Sequence, residues 1–290
     1  MRSIAICVSN WNNFEAIQLC IESVRKFTDY GNYKIIVYDD DSRYLQGGEQ
    51  LPNMIDKEYL YSCQDRGWIE LIEGKKQVRH GGALNILLNE RCRDEFDYAV
   101  PMDGDIQIKG YGWIQSLLRA FEKDPDKIIG VCDLHGKGYW PRGFRPASYL
   151  YCIGLINMHL YNDMGKCDWA ISELDRRVEP YLSEFADLYP PEDNANFRLY
   201  SSDGSYNGFD RDKVVLDPGC TIYFKLRFDN PKGYYIVPWP IDFRSKWTHH
   251  VHASAWMDPN NETRGGLAKQ MRDTKRAAIL PELKRLRESV

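Results

Sequence analysis

Two aspartates separated by one glycine follow an apolar segment in the first half of the chain. Residues 98–102 predict a buried strand, and Asp103, Gly104 and Asp105 come immediately after it. Side chains two residues apart in an extended chain point to the same side, and the glycine lets a ligand approach the backbone. Convergent carboxylates suit Mg²⁺ or Mn²⁺ held jointly with a substrate's phosphates. The simpler alternative is a polar turn with two solvated acids.

A second acidic cluster follows the strand that is predicted at 33–38. It consists of Asp39, Asp40, Asp41 and Ser42. Ligands of parallel sheets bind beyond the carboxyl ends of the strands. Both acidic clusters fall at such ends, so the sequence predicts that one crevice collects them.

The elements that must position these acids alternate along the chain. Strands are predicted at 4–8, 33–38, 68–72, 98–102 and 128–132, and segments with helical spacing of apolar residues separate them. This alternation predicts an α/β fold with a mostly parallel central sheet flanked by helices on both faces. Beyond residue 134 the alternation stops. Residues 134–148 are typical of a long mobile loop, and further strands are predicted at 221–228 and 233–237.

Composition narrows the class of protein. With 290 residues the chain can bury a full core, and a net charge of −4 does not favour nucleic acid or an anionic membrane as a partner. The eight cysteines are scattered without a CxxC pair, which is typical of reduced thiols. No apolar run approaches the ~20 residues of a membrane-spanning helix, and no signal peptide opens the chain. We therefore expect a cytoplasmic protein without stable membrane insertion, one that can still touch a membrane at its edge.

The end of the chain is basic. Residues 264–290 hold eight Lys or Arg against three Asp or Glu, in a segment of helical composition. We favour a solvated helix that packs on the domain. The alternative is a contact with anionic lipid or with an anionic acceptor.

Several motifs follow one another in a familiar order. They are IAICVSNWNN in the first strand, IIVYDDDS in the second, RHGGALN at a helix start, MDGD, and the late cluster WTHHVH. In this order the chain resembles nucleotide-sugar glycosyltransferases of the GT-A fold, particularly the family-two group. The likeness covers 3–132 well and 233–256 loosely. It implies a nucleotide-sugar-binding half at 1–132, an acceptor-side and metal-completing half of the same domain at 133–262, and a basic helical tail at 263–290.

The resemblance implies a donor site, with a UDP-sugar as the expected donor. Carboxylates and polar side chains would recognise the base and ribose, and the basic pair would lie near the diphosphate or base. The alternatives are an acidic turn and a surface basic pair before a helix, and Asn85 is expected to be a buried helix contact. The implied donor-binding residues are Ser9, Asn10, Asp39, Asp40, Ser42, Arg79, His80, Asp103 and Gly104.

The resemblance also implies a bound Mn²⁺ or Mg²⁺. Asp105 would ligate it directly, and Asp103 would bind the ribose or join the metal's shell. A late histidine is expected to complete the site, and three of the six histidines cluster in this region. In a strand, His250 and His252 share one face while His249 faces the other. We expect one metal ligand here, with His250 and His252 as equal candidates.

A catalytic carboxylate is implied if the enzyme inverts configuration. It would take the proton from the acceptor hydroxyl, and Asp193, in the Pro-Pro-Glu-Asp segment, is our candidate. Asp168, Glu173 and Asp175 compete with it, and a helix cap is the simpler role for Asp193.

Two other functions compete with glycosyl transfer to a hydroxyl-bearing acceptor. A sugar-phosphate nucleotidyltransferase would need a glycine-rich basic loop after the first strand, which SNWNN does not supply. A non-catalytic nucleotide- or glycan-binding module is the second alternative. Lipid, polysaccharide, protein and a nucleic-acid base all remain open as acceptors, the last not favoured.

Overall fold

The computed structural model describes residues 1–11, 14–42, 55–132, 153–165, 167–170, 222, 225–226, 229–250 and 265–288. Asp193, His252, the predicted loop at 134–148, Glu173 and Asp175 lie outside these ranges.

The first half of the chain alternates strands and helices, as the sequence predicts. Its strands are β1 (Ile4–Asn10), β2 (Tyr33–Asp39), β3 (Glu70–Glu73), β4 (Tyr98–Asp103), β5 (Ile106–Ile108) and β6 (Ile128–Cys132). Its helices are α1 (Phe14–Phe27), α2 (Ile55–Asp65), α3 (Arg79–Leu84) and α4 (Trp113–Phe121). A π-helical segment, Asn85–Arg91, continues α3.

The second half adds shorter elements. These are β7 (Leu155–Asn157), α5 (Met158–Asp163), β8 (Tyr235–Pro238), a 3₁₀ turn (Arg244–Lys246), β9 (Trp247–His249) and α6 (Gly265–Glu288). The strand predicted at 221–228 is wrong where the structure describes it, because Ile222, Lys225 and Leu226 are helical. Ile222 and Leu226 both contact the core; they are four residues apart, a spacing that a helix places on one face.

Seven strands form the central sheet in the order β3-β2-β1-β4-β7-β6-β8. Neighbours pair in parallel except around β7, which runs antiparallel to both β4 and β6. Strands β5 and β9 form a separate antiparallel pair. The predicted α/β class with a mostly parallel sheet is confirmed.

Each face of the sheet is covered by its own hydrophobic cluster. Alternate residues of β1 point to opposite faces, so Ile6 joins the cluster with α1 and α4, and Cys7 joins the cluster with α3 and α5. Every residue of β1 is buried, as expected for a central parallel strand.

Helix α6 packs against α1. A small apolar cluster joins Ala16 and Leu19 of α1 to Ile279, Leu283 and Leu286 of α6. Ion pairs surround it, with Arg276 bound to Glu15 and Arg287 bound to Glu22. Among the described residues, no helix has both the length and the apolar content needed to cross a membrane.

We expect the Leu283→Ala variant to lose about 2–3 kcal/mol of unfolding free energy, because it leaves a cavity in the contact between α1 and α6. Leu280→Ala is the matched control on the same helix, since Leu280 is 42% exposed and Leu283 is 4% exposed. Urea unfolding of both variants measures the difference. Equal stability of the two would show that this contact contributes little.

Candidate functional site

The carboxyl ends of β1, β2 and β4 lie side by side. The strand register places Ser9 opposite Asp103 and Asn10 opposite Asp39. The first and second acidic clusters are therefore brought to one edge of the sheet, as the sequence predicts. This follows from parallel pairing, which puts strand ends of the same polarity together.

The chain turns sharply at the glycine between the two aspartates. Strand β4 ends at Asp103, and the Gly104 N–H donates to the Ser9 carbonyl at 3.1 Å. After Asp105 the chain re-enters an extended conformation as β5. The side chain of Asp103 is 17% exposed, and that of Asp105 is 5% exposed.

Strand β9 brings His249 to this turn. Its register with β5 pairs His249 with Ile106, the residue next to Asp105. The Nε2 atom of His249 lies 3.1 Å from Oδ1 of Asp105 and 3.5 Å from Oδ2 of Asp103. One ligand atom from each of these three residues lies within 4.8 Å of the others. Two carboxylates and one imidazole form a donor set that suits a first-row divalent cation such as Mn²⁺.

The sequence offers His250 and His252 as equal candidates for the late metal ligand, and of these two the structure describes His250. The structure turns the His250 ring to Gln107, with Nε2 of the ring 3.1 Å from the Gln107 amide oxygen. His249 is the last residue of β9, and its ring lies against the two carboxylates, whereas the His250 ring lies against Gln107. The sequence does not reveal this arrangement, because it depends on the pairing of β9 with the distant strand β5.

Gln107 links this strand pair to the C-terminal helix. Its side-chain Nε2 donates to Glu282 of α6 at 3.3 Å, and its amide oxygen faces His250. Gln107 is 4% exposed. No motif marks Gln107 in the sequence, where the only signal is a polar residue between two isoleucines.

His80 begins α3 directly beside the aspartates. Its Nδ1 lies 2.8 Å from the Ser9 hydroxyl, and its Nε2 lies 3.5 Å from Oδ1 of Asp103. Burial lowers the pKa of His80 to about 4, against the smaller opposing effect of the Asp105 charge, so the ring is neutral at pH 7.

The aspartates at the end of β2 are engaged with the protein. Asp39 accepts from Asn10 Nδ2 at 2.8 Å and from the Ser42 hydroxyl, and Lys57 Nζ lies 3.3 Å from its second oxygen. Asp39 is 1% exposed. Lys57 has no signal in the sequence, since it occupies one position of an ordinary helical segment.

Asp40 binds the backbone at the start of α3. Its carboxylate accepts from the Val78 N–H at 2.6 Å, and the Arg79 N–H donates to it as well. Burial is the largest effect on Asp40 and raises its pKa. Arg79 itself has a φ of 62°, in the left-handed region that a side chain disfavours.

The sequence predicts a buried helix contact for Asn85, but the residue is half-buried and joins the end of α3 to the segment at 168–169. Its side chain donates to Asp168 at 2.8 Å and accepts from the Trp169 N–H at the same distance. Asp168 also accepts from the Ala170 N–H at 2.9 Å. Asp168, one of the alternative base candidates, is therefore engaged with Asn85 and with the backbone of its own segment.

Comparison with known proteins places the chain in a family. The model of glycosyl transferase family 2 matches residues 5–169, more than half of the chain. The chain belongs to glycosyl transferase family 2. The resemblance that its motif order carries is confirmed, and no curated protein matches the sequence of this family-2 chain.

Solved structures give weaker likenesses to this family-2 protein. S. aureus TarS 1–349 is 13% identical over 56% of this chain and 48% of its own, with a TM-score of 0.41. A Pyrobaculum calidifontis mannosyltransferase with GDP-Man and Mn²⁺ is 13% identical over 57% of this chain and 47% of its own, with a TM-score of 0.42. GalNAc-T7 with UDP, GalNAc and Mn²⁺ is 13% identical over 58% of this chain and 37% of its own, with a TM-score of 0.43. The matched part of this chain thus spans about half the length of these structures or less.

Replacing Arg79 tests the strained turn before α3. We expect Arg79→Gly to keep or slightly raise stability and Arg79→Val to lose about 1–2 kcal/mol, because left-handed backbone is hardest for a β-branched residue. Arg93→Val is the control, since Arg93 lies in a turn without a positive φ. Urea unfolding measures all three, and equal loss from the two valines would contradict the assignment of strain.

Proposed function

We propose that this chain is a metal-dependent glycosyltransferase that moves a sugar from a nucleoside diphosphate donor to a hydroxyl acceptor. The observation that carries the proposal is the convergence of Asp103, Asp105 and His249 at the carboxyl edge of β1 and β4. Membership of glycosyl transferase family 2 gives the class of reaction. A UDP-sugar as the donor rests on the resemblance of the motifs.

The proposed cation is Mn²⁺ or Mg²⁺, which Asp105, Asp103 and His249 would hold. When bound, it supplies Lewis-acid charge neutralisation for the departing diphosphate. Two carboxylates and an imidazole side by side fit such an ion, because their negative charge and lone pairs point at a common volume. The nitrogen of the imidazole favours Mn²⁺ over Mg²⁺, which prefers oxygen ligands.

The donor-binding residues are proposed to play two kinds of role. Ser9, Asn10 and Gly104 form the edge of the crevice, where the chain runs close to the metal residues. Arg79 is proposed to lie near the diphosphate. Asp39, Asp40 and Ser42 hold the walls of the base pocket, since their contacts engage them with Asn10, Lys57 and the start of α3.

The acceptor is proposed to be a hydroxyl compound that is not a nucleic acid. The basic tail supports this proposal, because three of its arginines are paired with acids. Arg276 binds Glu15, Arg285 binds Glu282, and Arg287 binds Glu22. Paired cations release few counterions on binding a phosphate backbone, so they contribute little affinity for it. Asp193 stays our candidate for the base that deprotonates the acceptor.

A thermal-shift experiment tests the metal and nucleotide site. UDP, GDP, TDP, CDP and ADP are each added with Mn²⁺ or with EDTA to the wild type and to Asp105→Ala. We expect one nucleotide to stabilise the wild type only with Mn²⁺, by about 2.7 kcal/mol at a hundredfold excess over Kd. The variant should lose this shift. Asp94→Ala is the matched control, with a side chain that is 89% exposed and outside the three-residue group.

Two outcomes would contradict the proposal. A full Mn²⁺-dependent shift in Asp105→Ala would show that the cation binds elsewhere. The second outcome is a thermal shift in the wild type together with no turnover. If no donor sugar releases its nucleoside diphosphate with any of a panel of hydroxyl acceptors, the non-catalytic binding module is favoured instead.

A further inference from the structure

The His80 ring is contacted at both nitrogens by residues of two central strands. The hydroxyl of Ser9, from β1, lies 2.8 Å from Nδ1. The carboxylate of Asp103, from β4, lies 3.5 Å from Nε2. Ser9 and Asp103 are neighbours in the register of β1 and β4, so His80 bridges two paired positions.

The chemistry of these partners favours one tautomer of the ring. At 3.5 Å, Nε2 and Oδ1 of Asp103 are at ion-pair distance and not at hydrogen-bond distance. A carboxylate only accepts, so a small approach of the two groups gives a hydrogen bond only if Nε2 carries the proton. Nδ1 then accepts from the Ser9 hydroxyl, and the other oxygen of Asp103, Oδ2, faces His249.

The backbone under His80 cannot shift easily. Asp40 holds the Val78 N–H at 2.6 Å, and Arg79 takes the left-handed conformation that turns the chain into α3. Two residues after Arg79, a Cβ on Gly81 would clash with the Trp169 carbonyl oxygen. The start of α3 is therefore fixed from both sides, by a carboxylate and by close packing.

We propose that His80 is a positioning residue for the metal site, holding Asp103 through Oδ1 so that Oδ2 is turned toward Asp105 and His249. This inference rests on the proposed function, because it assigns His80 a role behind the proposed ligands and not among them. His80 lies outside the three-residue group whose ligand atoms converge. Residues that orient a metal ligand typically change metal affinity about 10–100-fold when they are removed.

The experiment measures Mn²⁺ binding by the loss of the free-ion EPR signal, with Mn²⁺ alone and with UDP present. Four variants of the full chain are compared with the wild type: His80→Ala, His80→Gln, His80→Asn and Asp105→Ala. Glutamine can place an N–H near the position of Nε2, whereas asparagine reaches only the position of Nδ1. His159→Ala is the control, an exposed histidine on α5. Circular dichroism of each variant checks the fold.

We expect His80→Ala and His80→Asn to weaken Mn²⁺ binding about 10-fold or more, and His80→Gln to restore a large part of it. Asp105→Ala should abolish binding, and His159→Ala should leave it unchanged. If His80→Ala does not fold, the ratio of the Mn²⁺ affinities of His80→Gln and His80→Asn tests the inference instead.

Other results would overturn the inference. If Asp105→Ala loses Mn²⁺ while His80→Ala or His80→Asn binds as tightly as the wild type, the metal site stands and His80 has no positioning role. Equal affinities of the glutamine and asparagine variants would also overturn it. No binding of Mn²⁺ by the wild type, with or without UDP, would overturn the proposed metal site and this inference together.

Discussion

Two carboxylates on either side of Gly104 share one small and mostly buried volume, and their mutual repulsion is the constraint on which the surrounding structure depends. Placing like charges this close is tolerable only where donors and cations offset them. The protein supplies His249 between the two carboxylates and His80 beside Asp103. The same two charges, after the larger effect of burial, raise the pKa of the Cys20 thiol below them. The acids therefore add to the effect of burial on the pKa of this neighbouring thiol.

The strands and the acidic clusters were predictable from the sequence for physical reasons. Buried parallel strands are continuous apolar runs, and β1, β2 and β4 have that character. Parallel pairing then brings Asp39 and Asp103 to one edge without further information. The segment at 221–228 misled because its apolar residues fit two periods, and Ile222 and Leu226 are spaced for a helix as well as for a strand.

Other features depend on contacts that no local pattern encodes. His249 is brought to the two aspartates by the register between β9 and β5, a pairing between distant segments. Asp39 is covered by Lys57, which arrives from α2. Tertiary contacts hold Arg79 in its left-handed conformation. An arginine in the sequence does not predict a positive φ.

The pairing of β5 with β9 has a consequence for how the protein comes to its folded state. The hydrogen bond between His250 and Gln107 joins residues 143 positions apart. Closing so long a loop costs conformational entropy before any contact is gained, and such closures slow folding. Until β9 pairs with β5, Asp103 and Asp105 lack the imidazole that lies against them in the folded protein.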